Sequence, residues 1–356
     1  MRTVVVTGSG GLIGSETARH FAARGFDVLG IENDMRAKLF GEAASTERIT
    51  RALESELESF RRIELDIRDR EGVERLFERN GVRIELVVHT AAQPSHDWAA
   101  SDPHTDFSIN AYGTVTMLEA TRLHCPDATF VHLSTNKVYG DTPNRLPLVE
   151  GETRLDLPAD HRYYGGIDTT MTLDRSTHSL MGVSKSAADL AVQEYGRYFR
   201  MPTVCFRGGC LTGPQHAGAQ LHGFLAYLMM CTVTGTPYTV NGYGGKQVRD
   251  NIHAHDVSRA IEAFHAAPRT AAVYNIGGGR ANALSMLEAI AACERISGRE
   301  LDRTISPDAR IGDHRWWISD LGEFQADYPG WSVELDLETI LTDIFESNAE
   351  RWLASR

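Results

Sequence analysis

The chain has 356 residues, a formal charge of -12 and 42% hydrophobic residues. That length allows one large or two modest domains with a sizeable core. The acidic balance leaves no basic footprint for nucleic acid or an anionic membrane surface. No apolar run approaches the ~20 residues that a bilayer span needs.

Thr3–Thr7 is an apolar run, Gly8-Ser-Gly-Gly-Leu-Ile-Gly14 follows at once, and helical periodicity then continues through Ala18, Phe21 and Ala22. This is strand, glycine turn, helix. Gly8 permits the turn, Gly11 lets backbone approach a pyrophosphate, and Gly14 lets helix pack on strand; Leu12 and Ile13 open the helix whose N–H groups face phosphate. A second strand, 27–31, ends in Glu32, near the ~20-residue offset at which an acid meets the adenosine ribose hydroxyls. A carboxylate there favours NAD over NADP, although Arg36 keeps the phosphorylated form open. Missing Lys-Ser/Thr after the glycines argues against a P-loop.

Asp34 to Phe60 is charged and helix-prone, a solvated helical excursion. Strands are then expected at 62–65, 86–89, 129–133 and 203–206, alternating with helices at 71–80, 111–124 and 183–199. Such alternation makes an α/β fold, a doubly wound parallel sheet covered by helices on both faces. After Arg207 the alternation is lost. The expected division is therefore 1–206 and 207–356, with 248–276 able to return to either part. The start Met1-Arg2 followed directly by a strand leaves no room for a signal peptide. Five cysteines without a Cys-x-x-Cys pair read as reduced residues of a cytoplasmic protein.

The strings Thr7–Gly14, His89-Thr-Ala-Ala-Gln93, Asn110-Ala-Tyr-Gly-Thr114, Ser134-Thr-Asn-Lys-Val-Tyr-Gly-Asp141, Ser184-Lys185 and Gln247-Val-Arg-Asp250 together resemble the extended short-chain dehydrogenase/reductases. The nearest likeness is to NAD-dependent sugar-nucleotide epimerases of the CDP-paratose/CDP-tyvelose 2-epimerase kind. The resemblance implies a Rossmann domain with bound NAD, a smaller C-terminal α/β substrate domain, and a nucleotide-diphosphate sugar as substrate. Glu32 and Asn33 then meet the adenosine ribose, Asp66 and Ile67 border the adenine, and Ala91, Ala92, Gln93 and Asn110 line the cofactor. Ser134, Thr135, Asn136 and His178 fall on substrate positions. Thr135 matches the residue that hydrogen-bonds the reacting hydroxyl, and Lys185 the one that holds the nicotinamide ribose. Arg249 and Arg315 match arginines that clamp diphosphate, a task suited to a planar, always-charged fork. Helices 111–124 and 183–199 match those of a four-helix homodimer interface.

One position departs. Four residues before Lys185, where the family carries a tyrosine, stands Met181. A thioether has no ionisable proton, so another group must take the proton of the reacting hydroxyl, or the chemistry does not begin with a hydride step. His96 with Asp97 is the first candidate; His178, Tyr163, Tyr164 and Asp168 are others. His253 and His255 share one face of an extended segment, but the helix expected near Val257 makes Asp256 an N-cap, and no protein-built metal site is expected. Trp316-Trp317 and Met229-Met230 read as packing. Three functions remain open: an NAD-dependent epimerase with a replacement base, a non-redox pyranose–furanose mutase with NAD structural or absent and with or without an assisting metal ion, and an inactive sensor of nucleotide sugar or NAD.

Overall fold

The structure is a computed structural model that describes residues 2–216, 223–309 and 312–354. Strands β1 (Thr3–Thr7), β2 (Asp27–Ile31), β3 (Phe60–Ile63), β4 (Ile84–His89), β5 (Thr129–Thr135), β6 (Thr203–Gly208) and β7 (Ala272–Ile276) form one sheet. Its order is β7-β6-β5-β4-β1-β2-β3, with β1 to β5 paired in parallel. This is a Rossmann-type doubly wound sheet, and its order reverses between β1 and β4. Val4, Val5 and Val6 of β1 and Leu86, Val87 and Val88 of β4 are wholly buried. Continuous apolar runs of this kind mark strands covered on both faces.

Three helices position the chemistry: α1 (Leu12–Ala22), α2 (Gly113–His124) and α3 (Leu180–Phe199). The excursion after β2 holds the helices Met35–Phe40 and Glu47–Glu56. Asp34, at φ 49, pins it by accepting from Thr46 N–H (2.8 Å) and the Ser45 hydroxyl (2.6 Å). Helix α2 begins later than its sequence suggests, because a π-helical turn, Ser108–Tyr112, precedes it. Such turns concentrate at functional sites.

The chain divides into two compact units. One holds Met1–Val138, Ser179–Arg207 and Val257–Tyr274; the other holds Tyr139–His178, Gly208–Asp256 and Asn275–Arg356. The sequence suggested a division after 206 with 248–276 able to return; Val257–Tyr274 lies in the first unit, and Tyr139–His178, which the sequence placed in the first part, lies in the second. The reason is nonlocal packing: the Tyr139 ring stacks on Trp317 (5.4 Å) and its hydroxyl donates to Asn275 (2.9 Å), which ties 139–178 to the C-terminal part. The second unit contains a sheet in which strand Val248–His253 pairs with Cys210–Thr212, Ala283–Ser285 and Trp316–Trp317. Its core is built from Leu228, Met229, Leu284, Ile340 and Ile344 among others.

Asp256 is not an N-cap. Its helix runs Ala254–Ala266, and its carboxylate accepts from the Glu334 and Leu335 N–H groups (3.1 Å each). A distant segment that arrives with free N–H groups overrides the local capping preference.

Candidate active site

The glycine turn is held by its own backbone. Gly8 has φ +66 and donates to Ile31 O (2.8 Å), while Gly11 donates to Gly8 O (2.9 Å). A Cβ at Gly14 would lie 2.1 Å from Gly8 O, so only glycine lets α1 approach β1 this closely. At Gly11 a Cβ would meet only Gly8 O, at 3.2 Å; its outer side is open to a ligand. The amides of Leu12 and Ile13 open α1 and have no intrahelical acceptor. These residues fit the pyrophosphate of NAD.

Glu32 is buried, accepting from Gly10 N–H (2.9 Å) through one oxygen and from Asn33 (3.1 Å) and Asp34 (2.9 Å) N–H through the other. Backbone N–H groups thus hold the carboxylate at the end of β2, and the oxygen that accepts only from Gly10 keeps a lone pair for a ribose hydroxyl. Arg36 is turned to Ala44 O (3.4 Å) and the Phe40 ring (5.7 Å). Asn33 accepts from Met35 N–H in a local turn (3.1 Å). Asp66 pairs with Arg68 (2.7 Å), which holds its carboxyl below the usual range despite burial, and Ile67 beside it is buried.

Helix α3 carries Met181 and Lys185, both buried. Lys185 Nζ donates to Leu133 O (2.9 Å) and keeps two N–H groups for a cofactor. Burial pushes its pKa down to about 8, against the pull of Asp189. Thr135 ends β5, and its hydroxyl oxygen accepts Lys137 N–H (3.2 Å); its contact to Asn136 is long, at 3.5 Å, so its proton is available to a substrate. Asn136 itself is buried. Ser179 caps α3 by accepting Gly182 N–H (3.1 Å), and the same hydroxyl lies 2.6 Å from His96 Nδ1. The structure therefore brings His96 to the N-terminus of the helix that bears Met181. Asp97 sits exposed in the first turn of its own helix, His96–Ser101.

Three of the expected site residues have side chains engaged by the protein itself. Gln93 is fully buried, and its amide donates to Ser95 O (2.9 Å) and Asp106 (2.7 Å). Asn110 exchanges hydrogen bonds with the Gln93 backbone (2.9 and 3.0 Å) and donates to Ser184 (3.0 Å), coupling the π-helical turn to α3. Ser134 donates to Asp189 (2.5 Å). Ala91 N–H is held by the Thr7 hydroxyl (3.1 Å). Asp189 was not legible as functional. It accepts from Arg207 twice (3.1 and 2.8 Å) and from Gln193 (2.7 Å) in a wholly buried ion pair. Its one sequence signal is a carboxylate one turn after Lys185 on the same helix face.

Behind the site, His89 and His132 stack at 5.4 Å on adjacent strands. Thr114 donates its hydroxyl proton to Asn110 O (2.6 Å), so His89 Nε2–H donates to Thr114 (3.0 Å) and His89 Nδ1 accepts from Thr7 (2.8 Å). Burial pulls the pKa of His89 down to about 3 and that of His132 well below 6.5. Both stay neutral when folded and protonate from 6.5 downward when unfolded, so stability falls with pH by about 1.4 kcal/mol per unit for each. Buried Asp250, raised to about 6, takes up its proton in the folded state first and offsets part of this loss. The expected net loss between pH 6.5 and 4.5 is about 3 kcal/mol, measured by urea unfolding; His132→Phe should make the loss clearly smaller.

In the second unit, strands Val248–His253 and Trp316–Trp317 pair in parallel, and Val248 N–H donates to Arg315 O (3.1 Å). This adjacency gathers Arg249 and Arg315. Arg249 donates to Val248 O (2.8 Å) and Asp313 (3.2 Å); the Arg315 guanidinium lies 5.8 Å from the Tyr243 ring centre. His178 points Nε2 at Leu173 O (3.0 Å) and Ser176 (3.2 Å), closing its own loop. His253 pairs with Asp343 (3.1 Å), and among the described residues no three metal-ligating side chains converge.

Residues 4–277 match the model of the NAD dependent epimerase/dehydratase family. The chain belongs to that family. It is an NAD enzyme family, and the glycine turn, Glu32 and Lys185 fit that cofactor. The chain is 30% identical to CDP-paratose 2-epimerase of Salmonella typhi, over 89% of this chain and 91% of the relative. It is 26% identical to dTDP-glucose 4,6-dehydratase of Neisseria meningitidis, over 94% and 84%. The fold is shared with UDP-glucose 4-epimerase of Bifidobacterium longum in complex with NAD+ and UDP (TM-score 0.78, 22% identity, 99% of both chains). It is also shared with UDP-glucose 4-epimerase of Thermus thermophilus in complex with NAD (0.76, 24% identity, 97% and 98%).

Proposed function

We propose that the enzyme inverts one carbon of a nucleoside diphosphate sugar by transient oxidation, with His96 in place of the family's phenol. The observation that carries this reading is the 2.6 Å contact of His96 with Ser179, the cap of the helix bearing Met181 and Lys185. NAD, when bound, supplies the hydride acceptor and returns the hydride. Thr135 orients the sugar hydroxyl. His96, oriented by Ser179, takes the hydroxyl proton and gives it back after inversion. Lys185 holds the cofactor ribose and adds positive charge near the developing alkoxide. Arg249 and Arg315 hold the diphosphate.

A second reading has one observation in its favour. Met181 is 4% exposed, a buried thioether where the hydride step calls for an ionisable group. A non-redox pyranose–furanose mutase, with NAD structural, accommodates it. Incubation with CDP-, UDP-, GDP- and dTDP-sugars, each deuterated at the reacting carbons and followed by NMR, separates the two. An epimer formed with a primary isotope effect is expected; ring contraction without one supports the mutase. No product from any sugar leaves only a sensor.

The assembly proposed is a homodimer through α2 and α3. Leu180, Val183 and Leu190 of α3 fall on one helical stripe, Tyr112 and Leu123 on another along the turn leading into α2, and each is nearly half exposed. Such a patch suits a C2 interface. Light scattering at micromolar concentration should give twice the chain mass, and Leu190→Arg should reduce it to one.

A further inference from the structure

We propose that the second unit selects a cytidine nucleotide over a uridine nucleotide through the side-chain carbonyl of Gln247. The inference rests on the nucleoside diphosphate reading above. Gln247 is 8% exposed, and its Nε2 donates to Asn241 O (3.2 Å). That bond sets the orientation of the amide, since only the NH₂ end can face a backbone carbonyl. Its Oε1 then lies buried with no donor.

The neighbourhood says what kind of donor is missing. Gln247 immediately precedes strand Val248–His253 and stands two residues before Arg249, so both side chains project to the same face of the extended backbone. The Arg315 Nε beside this strand is likewise buried without an acceptor. Asn241, which orients Gln247, leads into the turn carrying Tyr243, whose ring faces the Arg315 guanidinium. The cluster thus offers cations to an anion and, at Gln247, one buried acceptor to an N–H donor. A nucleoside diphosphate meets both demands when its base carries an exocyclic amino group. Cytosine presents that donor where uracil presents a carbonyl oxygen, and an acceptor facing an acceptor leaves both unsatisfied.

The test is calorimetric titration of the NAD-loaded protein with CDP and with UDP. CDP should bind roughly ten- to a hundredfold more tightly, the factor expected for leaving a buried acceptor unpaired. In Gln247→Leu the two affinities should converge. Arg249→Ala should weaken both alike. Equal affinity of the wild type for CDP and UDP, with Arg249→Ala still weakening both, overturns the selection but leaves the nucleoside diphosphate reading standing. If neither nucleotide binds, both readings fall. Should Gln247→Leu not fold, by circular dichroism, the wild-type comparison alone decides.

Discussion

Replacing His96 by asparagine lowers kcat by roughly 10²–10⁴-fold, the usual contribution of a positioned general base, while KM for the nucleotide sugar changes little. Asparagine keeps a polar group that can reach Ser179, so the 2.6 Å link at the start of α3 need not break. The loss then reflects proton transfer rather than folding, and an unchanged melting temperature makes that distinction. Met181→Tyr should not raise activity. Its side chain is buried, and a ring in place of a thioether crowds the pocket at a cost of ~1–3 kcal/mol. A tyrosine variant much faster than wild type would sink the replacement-base idea.

Asp189→Ala should lower stability by about 3–5 kcal/mol, the penalty for stranding one member of a buried ion pair. Arg207 is 6% exposed and Asp189 1%, so water cannot replace the lost carboxylate. Four side-chain donors, two from Arg207 and one each from Ser134 and Gln193, lose their acceptor together. The Ser134 bond joins this pair to the residue just before Thr135, so the surviving folded fraction should also turn over more slowly. Denaturant unfolding measures the first effect. Asp189→Asn, which keeps the shape and loses the charge, should fall between wild type and alanine; a variant as stable as wild type would show that the pair is energetically neutral.

The elements legible in the residues are those whose causes lie close along the chain. Gly8, Gly11 and Gly14 stand where a strand must turn into a helix, and Glu32 follows at the end of the next strand. Met181 and Lys185 share a helix face because they are four apart. Six strands of the sheet follow from apolar runs alternating with helical periods; the seventh, β7, lies in the 248–276 segment that the sequence left able to return to either part. Strand ends were less legible: β3 runs Phe60–Ile63 rather than 62–65, since Arg61 and Arg62 hide the pattern of an edge strand with one exposed face.

Where polar side chains point was decided by the tertiary structure alone. Gln93, Asn110 and Ser134 sit in strings that look ligand-facing, yet each is turned inward by a partner from another segment: Asp106, Ser184 and Asp189. His96 meets Ser179, 83 residues away, and Arg249 and Arg315 are brought to neighbouring segments only because two short strands pair. The physical reason is one of range. Turn chemistry and the 3.6- and 2-residue periods are set by neighbours within a few residues, whereas burial of a polar group requires a hydrogen-bond partner that only a distant, packed segment provides.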